Sequence, residues 1–349
     1  MRHGIEQELQ IVNSANFELC AGHVDDLAQA VRPRADSLNV FADFGRDFYD
    51  TQLEYWIGIF DSPFQLRDML RVFRREVAEK ARDMGLRVMA CGVNPLITTK
   101  RPGEVFGEHH HVGVRTAREA INLHNLLRLF IPELIAFSAN SPFYAGKREP
   151  FESYRLHRSA HCRCPPHLTQ RDMMKLRWCS HSFSGVPERM WDVTPFAKGG
   201  RCTVEVRLFD AQPRCERSMA IAAVLQALAA KLITDEVDLD ALVDPQSAWM
   251  DELKRNREEA IRSGIRSRLS LSTRPVLPLV DDMPAIEALN ELQAWLYDEL
   301  DIFGDDGESA VIDIVESEIC LCEEERDSRD HCDATEYAGE MVRLTMEAE

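Results

Sequence analysis

Three short segments of this chain place acids and imidazoles at every second residue: Glu6-Gln7-Glu8, His109-His110-His111 and Glu205-Val206-Arg207. Alternate side chains of a β-strand share one face of the sheet. As strands, these segments project Glu6 with Glu8, His109 with His111, and Glu205 with Arg207. Carboxylates joined by one or two imidazoles suit a hard divalent cation, Mg2+ or Mn2+. A planar guanidinium beside them suits phosphate. The combination points to chemistry on ATP and a metal, carried on a sheet. Blander readings exist for each piece. A single strand glutamate commonly just faces solvent, and Glu205 with Arg207 also fits a surface ion pair.

The elements that must position these residues are visible in the patterning. His3 to Val12 alternates apolar and polar residues, as a half-buried strand does. Gln52 to Phe60 is aromatic and β-branched, a further strand that carries Glu54. Ser62 and Pro63 then open a helix whose Leu66, Met69, Leu70, Phe73 and Val77 recur at helical spacing until Gly85. Leu86 to Cys91 reads as a buried strand and Glu108 to Arg115 as the strand of the histidine run. Thr116 with Glu119 predicts a capping box and a helix to about Ile131. Asn140-Ser141-Pro142 and Gly146 read as a loop closing on the site. Lys147 to Thr194 lacks periodicity and reads as a long excursion carrying binding groups. Gly199-Gly200 leads into a strand from Cys202 to Asp210, followed by a helix from about Cys215 to Leu232. Several strands alternate in polarity, which favours an antiparallel or mixed sheet with one face open to ligand, an α+β layout. Residues 1–234 form the expected catalytic core. Residues 235–349 form an acidic, mainly helical region packed on it.

With 349 residues, 45% hydrophobic and 29% charged, the chain has the composition of a globular protein. A net charge of −18 argues against general affinity for nucleic acid or anionic membrane. No run approaches the ~18 apolar residues of a membrane span. The N-terminus enters a strand pattern at once, so a cytoplasmic location is expected. In that compartment the ten cysteines are expected to be reduced thiols. Two groupings could ligate zinc. One is His161, Cys162 and Cys164 with His167, Cys179 and His181; the other is Cys320, Cys322, His331 and Cys332. Neither has paired C-x-x-C spacing, so scattered thiols are favoured.

In order, the chain shows G-I-E-x-E from Gly4, x-x-E ending at Glu54, H-x-H-V-G-V from His109, S-A-x-S-P-F from Ser138, S-Y-R at Ser153–Arg155, and E-V-R-x-x-D-A from Glu205. This series resembles the type-2 glutamate–cysteine ligases, or carboxylate–amine ligases, of the glutamine synthetase superfamily. The resemblance implies a glutamine synthetase-like fold: a mostly antiparallel, curved sheet carrying the active site, packed by helices. It also implies an ATP-dependent ligase: a carboxylate, commonly the γ-carboxylate of glutamate, is phosphorylated and an amine such as cysteine displaces the phosphate. Carried over residue by residue, Glu6, Glu8, Glu54, His109 and Glu205 match the metal ligands, with His111 supporting them. Arg207 matches a phosphate-facing arginine, and Arg155 one assigned to the amino-acid carboxylate or the transferred phosphate. ATP, Mg2+ or Mn2+, small amino-acid and amine substrates and a homo-oligomer are implied with them. The sequence departs from the family near its C-terminus, where a glycine-containing, arginine-rich stretch is normal. Here Gly304 to Ala310 is acidic, and Cys320 to Cys332 holds only Arg326 and Arg329. A metal-dependent hydrolase and a degenerate ligase fold serving as a binding protein are the competing readings.

Overall fold

The computed structural model describes residues 2–38, 42–97, 104–159, 162–169, 172, 191–198, 201–234, 248–271, 274, 276–277, 281–303 and 311–347. Its centre is one antiparallel sheet. The strands are β1 (His3–Asn13), β2 (Ala42–Arg46), β3 (Gln52–Phe60), β4 (Leu86–Met89), β5 (Gly107–Val114), β8 (Val193–Lys198) and β9 (Arg201–Asp210). They run in the order β2-β3-β1-β5-β9-β8, with β4 paired to the far end of β1. The three strands that carry the acid and imidazole pairs, β1, β5 and β9, are therefore neighbours. Two residues each from Phe143–Tyr144 (β6) and Lys147–Arg148 (β7) form a separate small hairpin.

One face of the sheet is packed by helices. α1 (Val24–Leu38) and α2 (Pro63–Asp83) cover its β1–β3 side, and α6 (Cys215–Thr234) covers β5 on the same face. Ser62 starts α2 as its spacing predicts, its hydroxyl accepting from the Phe64 amide at 3.2 Å. Thr116 likewise caps α3 (Ala117–Arg128) through the Glu119 amide. The return bond is displaced by one residue: Glu119 accepts from the amide of Arg115 rather than Thr116. A second helix, α4 (Ile131–Ser138), follows at a 68° bend and is buried along its whole length. Among the described residues no single helix is long and apolar enough to cross a membrane.

Within the described residues, the irregular excursion contains regular elements. α5 (Tyr154–Arg158) starts at Ser153, whose hydroxyl caps it, and Val193–Lys198 pairs with β9 as an edge strand. Gly199 and Gly200 lie outside the described residues. Beyond α6 come α7 (Ala248–Ser263), α8 (Ala285–Trp295), α9 (Tyr297–Asp301), α10 (Val311–Arg329) and α11 (Ala334–Met346). These helices share both large hydrophobic clusters with the sheet layer. Trp249, Leu253 and Val315 join the cluster built on Val204 and Val206, while Tyr337 and Met341 join the one built on Ile5 and Leu9.

The C-terminal helices also hold the segment between α4 and α5 by its backbone. Arg329 Nη1 donates to Ala139 O at 2.9 Å, the Tyr337 hydroxyl donates to Asn140 O, and Cys322 Sγ to Phe137 O at 3.4 Å. A buried carbonyl that loses a charged donor keeps its desolvation cost. Replacing Arg329 by Met should therefore destabilise the protein by about 1–3 kcal/mol, read as a lower urea midpoint at unchanged slope. An unchanged midpoint would show that this grip contributes nothing.

Candidate active site

Register brings the sequence-predicted residues together. On β1, Glu8 pairs with Glu54 of β3 and Glu6 with His109 of β5. Across the next ladder His111 pairs with Glu205 of β9. Paired residues project from the same face, so Glu6, Glu8, Glu54, His109, His111 and Glu205 all stand on the face opposite the helices. The spacing of two along each strand does the rest.

Two groups form on that face. The ligand atoms of Glu6, His111 and Glu205 lie within 4.8 Å of one another, and so do those of Glu8, Asp47 and Glu54. His109 stands between them. Its Nδ1 is 3.3 Å from Glu6 and 3.8 Å from Glu205, and its Nε2 is 3.9 Å from Glu8. The geometry thus gives His111 the position within a group that the resemblance gave to His109, and puts His109 at the junction. Asp47 was not anticipated. It sits in the turn between β2 and β3, carries no motif, and joins the acids only because β2 pairs with β3.

Crowding and burial shift the titrations. Burial, then the neighbouring Glu6, Asp47 and Glu8, push Glu54 up to about 8. Burial also raises Glu8. Burial would raise Glu6 as well, but His109 and His111 outweigh it and hold Glu6 well below the usual carboxylate range. His111 is raised: burial disfavours its charge, but Glu6 and Glu205 more than compensate. His111 Nε2 is buried 3.1 Å from Glu6 Oε1, yet no aligned hydrogen bond reaches it among the described residues. An imidazole and two carboxylates whose ligand atoms converge in this way fit a shared hard cation.

Two arginines border the acids. Arg207 Nη1 lies 3.5 Å from Glu205. A β-bulge beside it sets its backbone apart: Glu108 pairs with Phe209 but His110 with Val206, one residue more on β9 than on β5. The carbonyl of Arg207 accepts from Arg155 Nη2 at 3.1 Å. Arg155 is buried, and its Nε and Nη1 have no partner among the described residues. Its guanidinium crosses Gly107 so closely that a Cβ there would sit 2.1 Å from Nη2. Arg155 is placed by Asp210, whose carboxylate accepts from the Asn140 amide (3.0 Å), Ser141 Oγ (2.7 Å) and Ser153 Oγ (2.9 Å). Ser141 Oγ in turn accepts from the Arg155 amide. The S-A-x-S-P-F, S-Y-R and E-V-R-x-x-D-A segments meet at this one buried carboxylate.

The cysteine groupings look different. Cys162 Sγ donates to the carbonyl of Arg207 at 3.5 Å, and Cys332 Sγ to that of Arg329 at 3.6 Å. Cys320 is exposed and Cys322 buried. Among the described residues the convergent ligand groups are the two acidic ones. His161, Cys179 and His181 lie outside the described residues.

The raised groups give the metal-free protein a definite pH dependence. Between pH 6.5 and 8 the unfolded chain has lost the Glu54 proton while the folded chain still holds much of it, and His111, raised by Glu6 and Glu205, acts in the same direction. Stability therefore falls as pH rises. His3, His110 and His124, held low chiefly by burial, work the other way, and their effect fades as pH rises above the ordinary value of 6.5. The thermal midpoint of chelator-treated protein should fall from pH 6.5 to 8, and Glu54→Gln should flatten that fall. A level or rising midpoint would mean that Glu54 is ionised throughout.

A family model, glutamate-cysteine ligase family 2, matches residues 104–300. Two similar proteins carry the provisional name glutamate–cysteine ligase 2. That of Bordetella petrii is 27% identical over 314 residues, covering 81% of this chain and 72% of its own length. That of Solibacter usitatus is 28% identical over 268 residues, covering 66% of this chain and 65% of its own. Among solved structures, Plasmodium falciparum glutamine synthetase superposes with a TM-score of 0.53 at 11% identity, over 94% of this chain and 72% of that one. PafA, the ligase solved with the prokaryotic ubiquitin-like protein Pup, superposes with a TM-score of 0.52 at 13% identity, over 94% and 64%. These likenesses establish a glutamine synthetase-like fold. With a family match running through more than half of its length, the chain belongs to glutamate-cysteine ligase family 2, a family of ligases.

Proposed function

We propose that this protein is an ATP-dependent carboxylate–amine ligase that joins an amine, such as that of cysteine, to a carboxylate, with glutamate as donor, through an acyl phosphate. The observation that carries the reading is the pair of convergent acid groups on one sheet face, bordered by two arginines. The names of its relatives supply the substrate class. Glu6, His111 and Glu205 would hold one divalent ion, and Glu8, Asp47 and Glu54 a second. Bound there, Mg2+ or Mn2+ would shield phosphate oxygens and stabilise charge developing during transfer.

The chain's own groups do the rest. Arg207, beside Glu205, offers a planar fork to the transferring phosphoryl group. Arg155 brings two buried, unpartnered N–H groups to the same side of the sheet, suited to the donor carboxylate or the transferred phosphate. Asp210 holds Arg155 in place, and Gly107 leaves the room it occupies. His109 separates the two acid groups, its Nδ1 toward Glu6 and Glu205 and its Nε2 toward Glu8. Water is kept from much of this surface, since Glu8, His109, Arg155 and Glu205 are all buried.

The direct test is ADP release from Mg2+-ATP and glutamate against a panel of amines and amino acids, with mass spectrometry of the product. An amide product supports the ligase. ADP without amide would favour a hydrolase, and no nucleotide turnover with any pair would leave a binding protein.

Two sets of variants probe the assignment. Glu6→Gln and Glu205→Gln should each lower ADP formation by at least ~10²-fold with circular dichroism unchanged, because each removes part of a metal's Lewis-acid stabilisation. Full activity in both would overturn the metal assignment. Arg207→Lys keeps the charge and loses the fork. It should reduce kcat far more than it raises the KM for ATP, as expected of a contact that strengthens in the transition state. Arg155→Lys should mainly raise the KM for the donor. Wild-type constants in both variants would make these arginines bystanders.

A further inference from the structure

The helix-packed face of the sheet carries a second polar array, and each member alternates with a ligand candidate. Gln7 lies between Glu6 and Glu8, and Glu108 and His110 flank His109. All three are buried, as are His3, Arg74 and Ser218 beside them. Polar groups so placed cost stability unless their bonds close. Here they nearly all close. Glu108 Oε1 accepts from His110 Nε2 at 2.7 Å, because a carboxylate oxygen can only accept. His110 Nδ1 lies 2.7 Å from His3 Nε2. Glu108 Oε2 accepts from Gln7 Nε2 at 2.5 Å and from Ser218 Oγ at 2.8 Å.

The amide of Gln7 is fixed from its other end too. Its Oε1 accepts from Arg74 Nη2 at 2.7 Å and from the Tyr55 hydroxyl. Arg74 also donates to the carbonyls of Gln212 (3.0 Å) and Pro213 (2.5 Å), just beyond β9. One buried carboxylate thus ties β1 to β5 at the level of the acids, with α6 bound through Ser218 and α2 through Arg74.

We propose that Glu108 is a positioning residue: through Gln7 and His110 it fixes the pleat and spacing of β1 and β5, and so the approach of Glu6, Glu8, His109 and His111 to a divalent ion. The proposal rests on the metal reading above. It makes a chemical demand that mere core packing does not. Glu108→Gln has no orientation free of cost: its amide nitrogen either opposes Gln7 Nε2 or faces His110 Nε2, which accepts only if His110 and His3 both exchange tautomers, and either way the carboxylate's charge is lost. Gln7 cannot turn over to relieve this without presenting its own nitrogen to Arg74. Exchanging the two residues restores every bond. In Gln7→Glu/Glu108→Gln, the carboxylate at position 7 accepts from Tyr55, Arg74 and Ser218. The amide at 108 then donates to it and accepts from His110.

The experiment measures Mn2+ affinity by electron paramagnetic resonance, with the thermal midpoint of the same metal-free samples. Glu108→Gln should weaken Mn2+ binding about 10- to 100-fold, the usual loss when a group orienting metal ligands is removed. The double variant should recover most of it, a strong coupling between neighbours. Should Glu108→Gln fail to fold, Ser218→Ala removes one donor only and should show a smaller loss of the same kind. Wild-type affinity in whichever single variant folds, or a double variant no better than Glu108→Gln, would overturn the positioning role. Absence of Mn2+ binding by the wild-type protein would instead sink the metal reading, and this proposal with it.

Discussion

The constraint on which the rest of this structure depends is like-charge crowding on one face of a sheet. Five carboxylates, from Glu6, Glu8, Asp47, Glu54 and Glu205, gather into two groups there. Two unit charges about 4 Å apart repel by roughly 4 kcal/mol at the effective dielectric of a protein surface. The folded chain answers in three ways. Glu54 retains its proton to about pH 8. His109 stands between the groups, within 4 Å of Glu6, Glu8 and Glu205. Arg207 caps the outer side of Glu205. None of these removes the repulsion, so the sheet has to be rigid enough to bear it. On the proposed reading, a divalent ion at either group would relieve what the protein cannot, and the crowding itself would be the source of its affinity.

Much of this face was legible in the sequence because a strand repeats every two residues. Glu6 with Glu8 and His109 with His111 needed only that period. Their meeting across strands needed register, which no local pattern specifies. The order of motifs supplied it indirectly, through the family resemblance. What escaped had no period to reveal it. Asp47 lies in a turn after a five-residue strand, and its membership depends on β2 pairing with β3. The excursion after Lys147 looked irregular because its short helix and edge strand are held by tertiary bonds, to Asp210 and to β9, rather than by their own amphipathicity. α4 is buried on every side, Glu133 included, and so shows no helical stripe. The back-face array was equally hidden: Gln7 and His110 read as the polar half of a strand, when they are buried.

The missing arginine-rich stretch has a structural counterpart of a different kind. Arg329 holds the Ala139 carbonyl, Arg326 pairs with Glu152 at 3.0 Å, and Arg217 reaches the carbonyl of Phe137. These cations act on the backbone and flanks of the segment that carries Ser141, Ser153 and Arg155. They stand one step behind the site. Loss of a direct contribution from that stretch would therefore leave the placement of Arg155 intact, because Asp210 and the C-terminal helices fix its segment from opposite sides.

The bulge on β9 shows why this matters for chemistry. Strict alternation along β9 would set Val206 and Phe209 on opposite faces, yet both pair with residues of the helix-packed face, Val206 with His110 and Phe209 with Glu108. The extra residue reconciles the two. It keeps the apolar side chains in the core while leaving Glu205 and Arg207 together on the acid face. The Arg207 carbonyl receives Arg155, since the Asp192 amide that would meet it beyond the start of β8 turns to the Arg163 carbonyl instead. Two arginines separated by 52 positions in sequence are thereby coupled through a backbone oxygen. Their spacing follows from strand geometry, not from side-chain flexibility. An ordinary ladder could have supplied the acids; bringing a second guanidinium against them required the ladder to break at this point.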